Sequence, residues 1–158
     1  MSRLARTLET VAEVIQGLLP EAEVLVSYNP ELDLNYVSTQ RISILVVPDT
    51  VAEEDHNQNG TKWKDVYTVT LAVTRGIKNI KDCAPEVEAM LDVMEKLRDD
   101  LRTRITRGVA VIRGNHTPSR PVYNRDSLEE DHIFLGYLLL EARTPGIKNS
   151  HVENQETG

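Results

Sequence analysis

Two stretches of the chain repeat apolar residues at helical spacing. From Ser2 to Leu19 an apolar side chain recurs every three or four residues, and Pro20 then stops the pattern. A longer stripe runs from Glu86 to Ile105, behind Pro85 at the first turn. Its acidic residues come early and its arginines late, as the helix dipole favours. The pattern predicts two amphipathic helices, with Gly108 as a plausible stop for the second.

Other stretches alternate apolar and polar residues, as strands do. We expect a short strand at 24–26, a second at 40–47 that ends at Pro48, and a third at 66–74. In the third, one face is apolar and suits a core, whereas the other is rich in threonine and suits solvent or a wet neighbour. The face predicted to be apolar consists of Tyr67, Val69, Leu71 and Val73.

The last part of the chain adds two strands. Residues 109–112 form a short candidate, and residues 132–143 are apolar on both faces, which indicates a central strand covered on both sides. The segment between them, 115–126, is rich in turn residues, and Ser127 to Glu130 fits a capping box.

The order of these elements, α-β-β-β-α-β-β, predicts an α+β fold. We expect a mostly antiparallel sheet of four to five strands with two helices packed on one face. Residues 1–144 would form a single domain, and the polar residues 145–158 a flexible C-terminal tail. The polar stretch 49–62 is predicted to be a long connection between strands, a kind of loop that is usually functional or mobile.

Chemistry-bearing residues are sparse and scattered. Cys83 is the only cysteine, and the four histidines have no metal-ligand spacing. There is no glycine-rich phosphate loop and no nucleophile motif, so we predict a protein that is not an enzyme, with no catalytic, cofactor-binding or metal-binding residues. An enzyme would need a pocket that gathers Cys83, His116 or His132 with acids. No stretch approaches the roughly 18 apolar residues of a membrane span.

Charge is distributed unevenly along the chain, whose net charge is −7. Residues 96–125 hold eight basic residues and two acidic ones, whereas residues 49–60 hold four acidic residues and no lysine or arginine. The sequence therefore predicts two poles of opposite sign.

Two interpretations of the basic segment stay open. In the first it is a solvated helix face, with Asp100 paired to Arg104 and Glu95 to Arg98. In the second it meets the acidic segment of an adjacent copy, a head-to-tail contact that can close into a ring and that salt would weaken. DNA phosphate is a weaker partner, given the acidic net charge. The candidate contact residues are Asp49, Glu53, Glu54, Asp55, Arg98, Arg102, Arg104 and Arg107.

The same elements resemble a known family when they are taken in order. They are the helix from Leu4 to Leu19, the strands Arg41 to Pro48 and Asp65 to Val73, the helix Glu86 to Ile105, Pro121-Val122-Tyr123, and Leu128 leading into Phe134 to Arg143. This arrangement, over about residues 4 to 143, resembles the tail-terminator and tail-completion proteins of long-tailed bacteriophages and related neck proteins.

The resemblance implies a structural role. In that family a small α+β subunit forms a ring, usually a hexamer, that caps the tail tube and joins it to the neck. The expected partners are other copies, the tail tube protein, a neck or connector protein, and non-specific DNA in the ring lumen, but no membrane. The expected location is the tail or neck of the virion, after assembly in the host cytoplasm. The 49–62 loop and the C-terminal tail would make contacts between subunits.

Two alternatives to the tail terminator remain. The chain could be a head–tail connector or head-completion subunit. It could also be a small cytoplasmic assembly chaperone or binding module that acts on a peptide as a monomer or dimer.

Overall fold

The computed structural model describes residues 2–29, 37–54, 64–102, 105–107, 110–114 and 123–145. The helices are α1 (Arg3–Leu18), α2 (Ala84–Asp100) and α3 (Arg125–Asp131), and a 3-10 turn spans Ile80–Asp82. The strands are β1 (Glu23–Val26), β2 (Ser43–Glu54), β3 (Lys64–Gly76), β4 (Ile105–Arg107), β5 (Ala110–Gly114) and β6 (Ile133–Pro145). The predicted tail beyond Pro145 lies outside the described residues.

The strands form one sheet in the order β1-β2-β3-β6-β5-β4. The predicted α+β fold and mostly antiparallel sheet are confirmed, because only β1 and β2 pair in parallel. The predicted number of strands is too low, since the described residues form a 6-stranded sheet. The extra strand arises because α2 ends at Asp100, so that Ile105 pairs with Ile112 of β5 instead of extending the helix. Its β-branched neighbour Thr106 favours that strand.

The predicted loop 49–62 is wrong over residues 49–54, because β2 extends into it. β2 continues to Glu54 and β3 begins at Lys64, and the two pair along their whole length. The register shifts once, between Pro48 and Thr50, which leaves Asp49 as the extra residue of a β-bulge. Residues 55–63, between the strands, lie outside the described residues.

One layer of helices covers one face of the sheet; two helices were predicted, whereas the described residues form three. Apolar residues of α1 and α2 join those of β2, β3 and β6 in a single core cluster. The apolar face predicted for β3 is confirmed, since its four residues are all buried in this cluster. The fully buried members with the largest side chains are Phe134, Leu8, Ile15, Ile44, Leu71, Met90, Leu97, Leu101, Ile112 and Leu140.

Polar groups bind both ends of α1. The Ser2 side chain accepts a hydrogen bond from the Ala5 N–H at 3.0 Å and caps α1. At the other end of α1, the Lys96 ammonium of α2 donates to the Leu18 carbonyl at 3.2 Å. A cation at this position suits the negative end of the helix dipole. The two helices are therefore tied to each other as well as to the sheet.

A third helix lies where the sequence predicts turns. α3 begins after Asn124, whose side chain accepts from the Ser127 N–H at 3.0 Å, so the cap lies three residues before the predicted one at Ser127. The helix ends at His132, which adopts a left-handed conformation with φ 57°. Leu128 of α3 packs in the same core cluster as the residues of α1 and α2.

Glu86 organises the turn before α2. Its two carboxylate oxygens accept from the Lys78 N–H at 2.9 Å and from the Asn79 N–H at 3.0 Å. These two backbone donors, first that of Lys78, hold the pKa of Glu86 below its usual value.

We expect the Glu86→Gln substitution to destabilise the protein at neutral pH but not in acid. The folded-state pKa is below the ordinary 4.5, so the stabilisation is complete above about 4.5 and is lost as the pH falls through the folded value. Urea unfolding between pH 7 and pH 3 measures the difference from wild type, which should shrink at the acid end. Glu88→Gln, on the exposed side of the same helix, is the control and should show no such trend. A Glu86→Gln difference that is constant with pH would contradict this account.

Candidate functional site

The sheet face opposite the helices is only partly polar, and no described helix covers it. Register places Leu25 of β1, Leu45 of β2, Ala72 of β3 and Tyr137 of β6 in one row across this face. Leu25 is 51% exposed and Tyr137 is 44% exposed. We call this surface the open face. The predicted double cover of β6 is therefore wrong at Tyr137, although β6 does lie inside the sheet.

The open face contains a shallow pocket of about 230 Å³. Ala72 and Leu135 are buried there, yet neither belongs to the core cluster on the helix side. The pocket is lined by Asn29, Leu45, Val47, Pro48, Asp49, Thr70, Ala72, Leu135 and Tyr137. The pocket is an apolar recess whose lining also includes the carboxylate of Asp49 and the polar groups of Asn29, Thr70 and Tyr137.

The threonines of β3 lie on the open face, but not all of them meet solvent as predicted. Thr68 and Thr70 are half-buried. Thr74 is fully buried and its hydroxyl donates to the Ser43 carbonyl at 3.1 Å. This face is drier than the sequence suggests, since apolar residues of the neighbouring strands, such as Val47 and Leu135, are paired with these threonines in register.

The outer edge of β2 is largely unpaired. β1 pairs only with Ser43 to Val46, so from Val47 onward no other described strand borders β2 on that side. Thr50, Val51 and Ala52 are exposed there, and Val51 is 61% exposed. We call residues 50–52 the free edge of β2. Unpaired strand edges are templates for pairing with another chain.

The predicted acidic residues lie on a strand and not on a loop. Asp49 is exposed at the bulge of β2 and lines the pocket of the open face. Glu53 and Glu54 are the last residues of β2. Asp55 lies outside the described residues. The structure therefore joins Asp49 to an apolar surface that the sequence did not assign to it.

The predicted basic residues do not form one helical face. Arg98 is exposed on α2, and Arg102 pairs with Asp99 at 3.3 Å just after the helix. Arg107 ends β4, at the far edge of the sheet, while Arg104 lies outside the described residues. Asp100 pairs with Lys96 at 2.9 Å. Arg102 and Asp100 thus already have ion-pair partners within the chain.

A buried acid ties α1 to the beginning of β3, opposite the end of β2. Asp65 is 2% exposed, and its Oδ2 lies 3.1 Å from Nη2 of Arg3. The Tyr67 hydroxyl donates to the same oxygen at 3.3 Å. Burial raises the pKa of Tyr67, and the Asp65 charge raises it further, so the phenol stays a donor. This network positions the hairpin and leaves the open face untouched.

The residues considered for catalysis are dispersed. Cys83 precedes α2 and is half-buried, and His132 is exposed at the end of α3. His116 lies outside the described residues. Nowhere in the described part of the chain do three or more His, Cys, Asp or Glu side chains gather closely enough to hold a metal ion. None of the described helices is long and apolar enough to cross a membrane.

Sequence patterns alone did not identify the open face. The signal was present, because Leu135, Tyr137 and Leu139 alternate with the core residues of β6. An apolar outer row has two explanations, a second layer of the same chain or a surface for another molecule. The structure places α1 and α2 on the opposite face, and no described helix covers this one.

A comparison with models of known protein families finds no match to this chain, and a comparison with curated protein sequences finds none either.

Proposed function

We propose that the chain is a structural subunit that assembles with copies of itself into a ring. The observation that carries this proposal is the open face, which no described helix covers and which combines exposed Leu25 and Tyr137 with a pocket. Uncovered apolar surfaces of this kind mark sites of protein–protein contact. The open face provides shape and apolar area, which are properties of a binding surface and not of a catalytic site.

The order of elements favours one particular ring. The α+β subunit resembles phage tail-terminator proteins, so we propose that the ring caps the tail tube and joins it to the neck or connector. Its partners would be further copies, the tail tube protein and a neck or connector protein, with DNA passing through the lumen. The ring would belong to the tail or neck of the virion, after assembly in the host cytoplasm.

The first test is the mass of the particle in solution. We expect a discrete oligomer, most simply of six copies, at micromolar concentration in sedimentation velocity or mass photometry. Monomer alone at every concentration, also when tail tube protein is added, would contradict the proposal.

Salt dependence reports how much of the contact is ionic. The sequence predicted a ring that salt weakens, but Arg102 and Asp100 already pair within the chain. We therefore expect the oligomer to persist in about 0.5 M salt, where the Debye length is near 4 Å. Dissociation under that condition would show that the charged poles, and not the open face, hold the copies together.

A peptide-binding module is the second candidate, and the free edge of β2 favours it. An extended peptide can add to such an edge as a further strand. This function requires a monomer or dimer, so the same mass measurement distinguishes it from a ring. A head–tail connector would also form a ring, and binding to purified tail tube protein separates the terminator from the connector.

A further inference from the structure

We propose that the ring contact is head-to-tail, with the free edge of β2 of one copy seated on the open face of the next. This inference rests on the proposed function and specifies which two surfaces meet. The occupant of the open face is thus a second copy of this chain, and Val51 is the side chain that enters its pocket.

The size of the open face is the first support. Strands lie about 4.8 Å apart and rise about 3.3 Å per residue, so β2, β3 and β6, with 12, 13 and 13 residues, span roughly 600 Å². The shorter strands β1 and β5 bring the total to about 750 Å². A stable interface buries about 800 Å² on each partner. The footprint of the open face is therefore close to what one protein neighbour covers, although Thr74, Leu135 and Ala72 within it are already buried.

The pocket supplies the second support. Leu45, Ala72 and Leu135 give it an apolar floor, and its volume is about 230 Å³. A dry cavity of about 150 Å³ accommodates benzene, so this pocket has room for a branched aliphatic side chain. The apolar floor favours an apolar side chain, while the exposed carboxylate of Asp49 at the wall can accept from backbone N–H groups of an incoming strand.

The free edge of β2 is the complementary surface. Val51 shares the helix-side face with Tyr67, its partner in register, yet it is exposed because the core does not extend to it. Thr50 and Ala52 on either side are uncharged, so the edge lacks the lysines that usually protect exposed strands. Its protection lies on either side of these three residues, in Pro48 and the bulge at Asp49 before them and in Glu53 and Glu54 after them. An edge of this kind is suited to burial against a partner.

Both surfaces lie on one chain but differ from each other. An apolar strand on one surface and an apolar pocket on another make a heterologous contact, which repeats from copy to copy. Such a contact closes into a ring when the rotation between copies allows it. A symmetric pairing of two open faces would instead stop at a dimer and leave both Val51 edges exposed.

Two single substitutions, one on each surface, test the contact. Tyr137→Glu puts a charge into the pocket of the open face, and Val51→Glu puts one on the free edge. Both side chains are well exposed, so we expect both variants to fold, which circular dichroism and thermal unfolding verify. If Tyr137→Glu does not fold, Tyr137→Ser replaces it as the variant of the open face. Ala89→Glu, exposed on α2, is the matched control and should assemble like wild type.

We expect each variant alone to be monomeric, because every copy then lacks one of the two surfaces. Mixed in equal amounts, the variants should form a 1:1 dimer, since the intact edge of one fits the intact open face of the other. One contact lacks the avidity of a closed ring, so sedimentation equilibrium should extend to high protein concentration.

The possible failures are distinguishable. A wild-type monomer would refute the proposed function itself. A wild-type ring that persists in either variant, or variants that remain monomeric when mixed, would overturn the head-to-tail contact and leave the ring intact. Assembly lost in Tyr137→Glu and retained in Val51→Glu would indicate a symmetric contact or a different partner surface, and would also overturn the inference.

Discussion

Replacing Phe134 with alanine should lower the free energy of unfolding by about 3–5 kcal/mol, the usual cost of removing a buried aromatic ring. Phe134 is fully buried under the helix layer, and its ring centroid lies 5.4 Å from that of Tyr123. The substitution removes this contact and leaves a cavity where β6 meets the core. Urea unfolding followed by circular dichroism measures the change.

The matched control is Tyr137→Ala, three residues further along the same strand but on the open face. Because Tyr137 is 44% exposed, we expect this substitution to lower the free energy of unfolding by less than about 1.5 kcal/mol, as is usual at partly exposed strand positions. Tyr137→Ala should weaken assembly, since Tyr137 lies in the proposed contact. Phe134→Ala should leave the contact surface intact. An equal loss of stability in both variants would contradict the assignment of the two faces of β6.

Asp65→Asn should lower the free energy of unfolding by roughly 2–3 kcal/mol. Loss of one partner of a buried ion pair costs about 3–5 kcal/mol, and the Arg3 side chain is 40% exposed, which reduces the penalty. The amide preserves the shape of the carboxylate and can still accept from the Tyr67 hydroxyl, so the loss reports the charge. Chemical denaturation at neutral pH measures it.

A double-mutant cycle with Arg3→Met isolates the pair. If Arg3 and Asp65 interact as the 3.1 Å separation indicates, the double variant should be more stable than the sum of single effects predicts, by about 1–2 kcal/mol. Effects that add without any coupling would show that the two residues stabilise the fold independently.

Regular periodicity made part of the fold predictable. The apolar steps of α1 and the alternation of β3 follow directly from the geometry of helices and strands, and both elements lie where the sequence places them. Pro20 and Pro85 give clear boundaries because proline restricts the backbone whatever its surroundings. Local rules suffice where the local preference and the tertiary environment agree.

The predictions of secondary structure are wrong where a tertiary contact overrides a local preference. Residues 49–54 contain three acids after a proline and suggest a loop, yet pairing with β3 keeps them in a strand. An edge strand tolerates such residues because one side of it meets solvent. Ile105 continues the apolar stripe of α2, but its pairing with Ile112 places it in β4. Neither strand partner can be read from neighbouring residues.

The candidate site was only partly predictable for a related reason. Charge is visible in a sequence, so Asp49 was among the predicted contact residues, whereas a sheet face that no described helix covers depends on where distant helices pack. Leu25 and Tyr137 lie in one row on the open face only because β1, β2, β3 and β6 align in this order. A surface formed by four strands from separate parts of the chain is a property of the topology.

The most direct test of self-assembly through the open face is an electron microscopy image of the purified wild-type chain beside the Tyr137→Glu variant. We predict closed rings of uniform symmetry around a central hole for wild type, and only small single particles for the variant. Wild-type fields that contain only single particles, or rings that form equally well in Tyr137→Glu, would contradict this account.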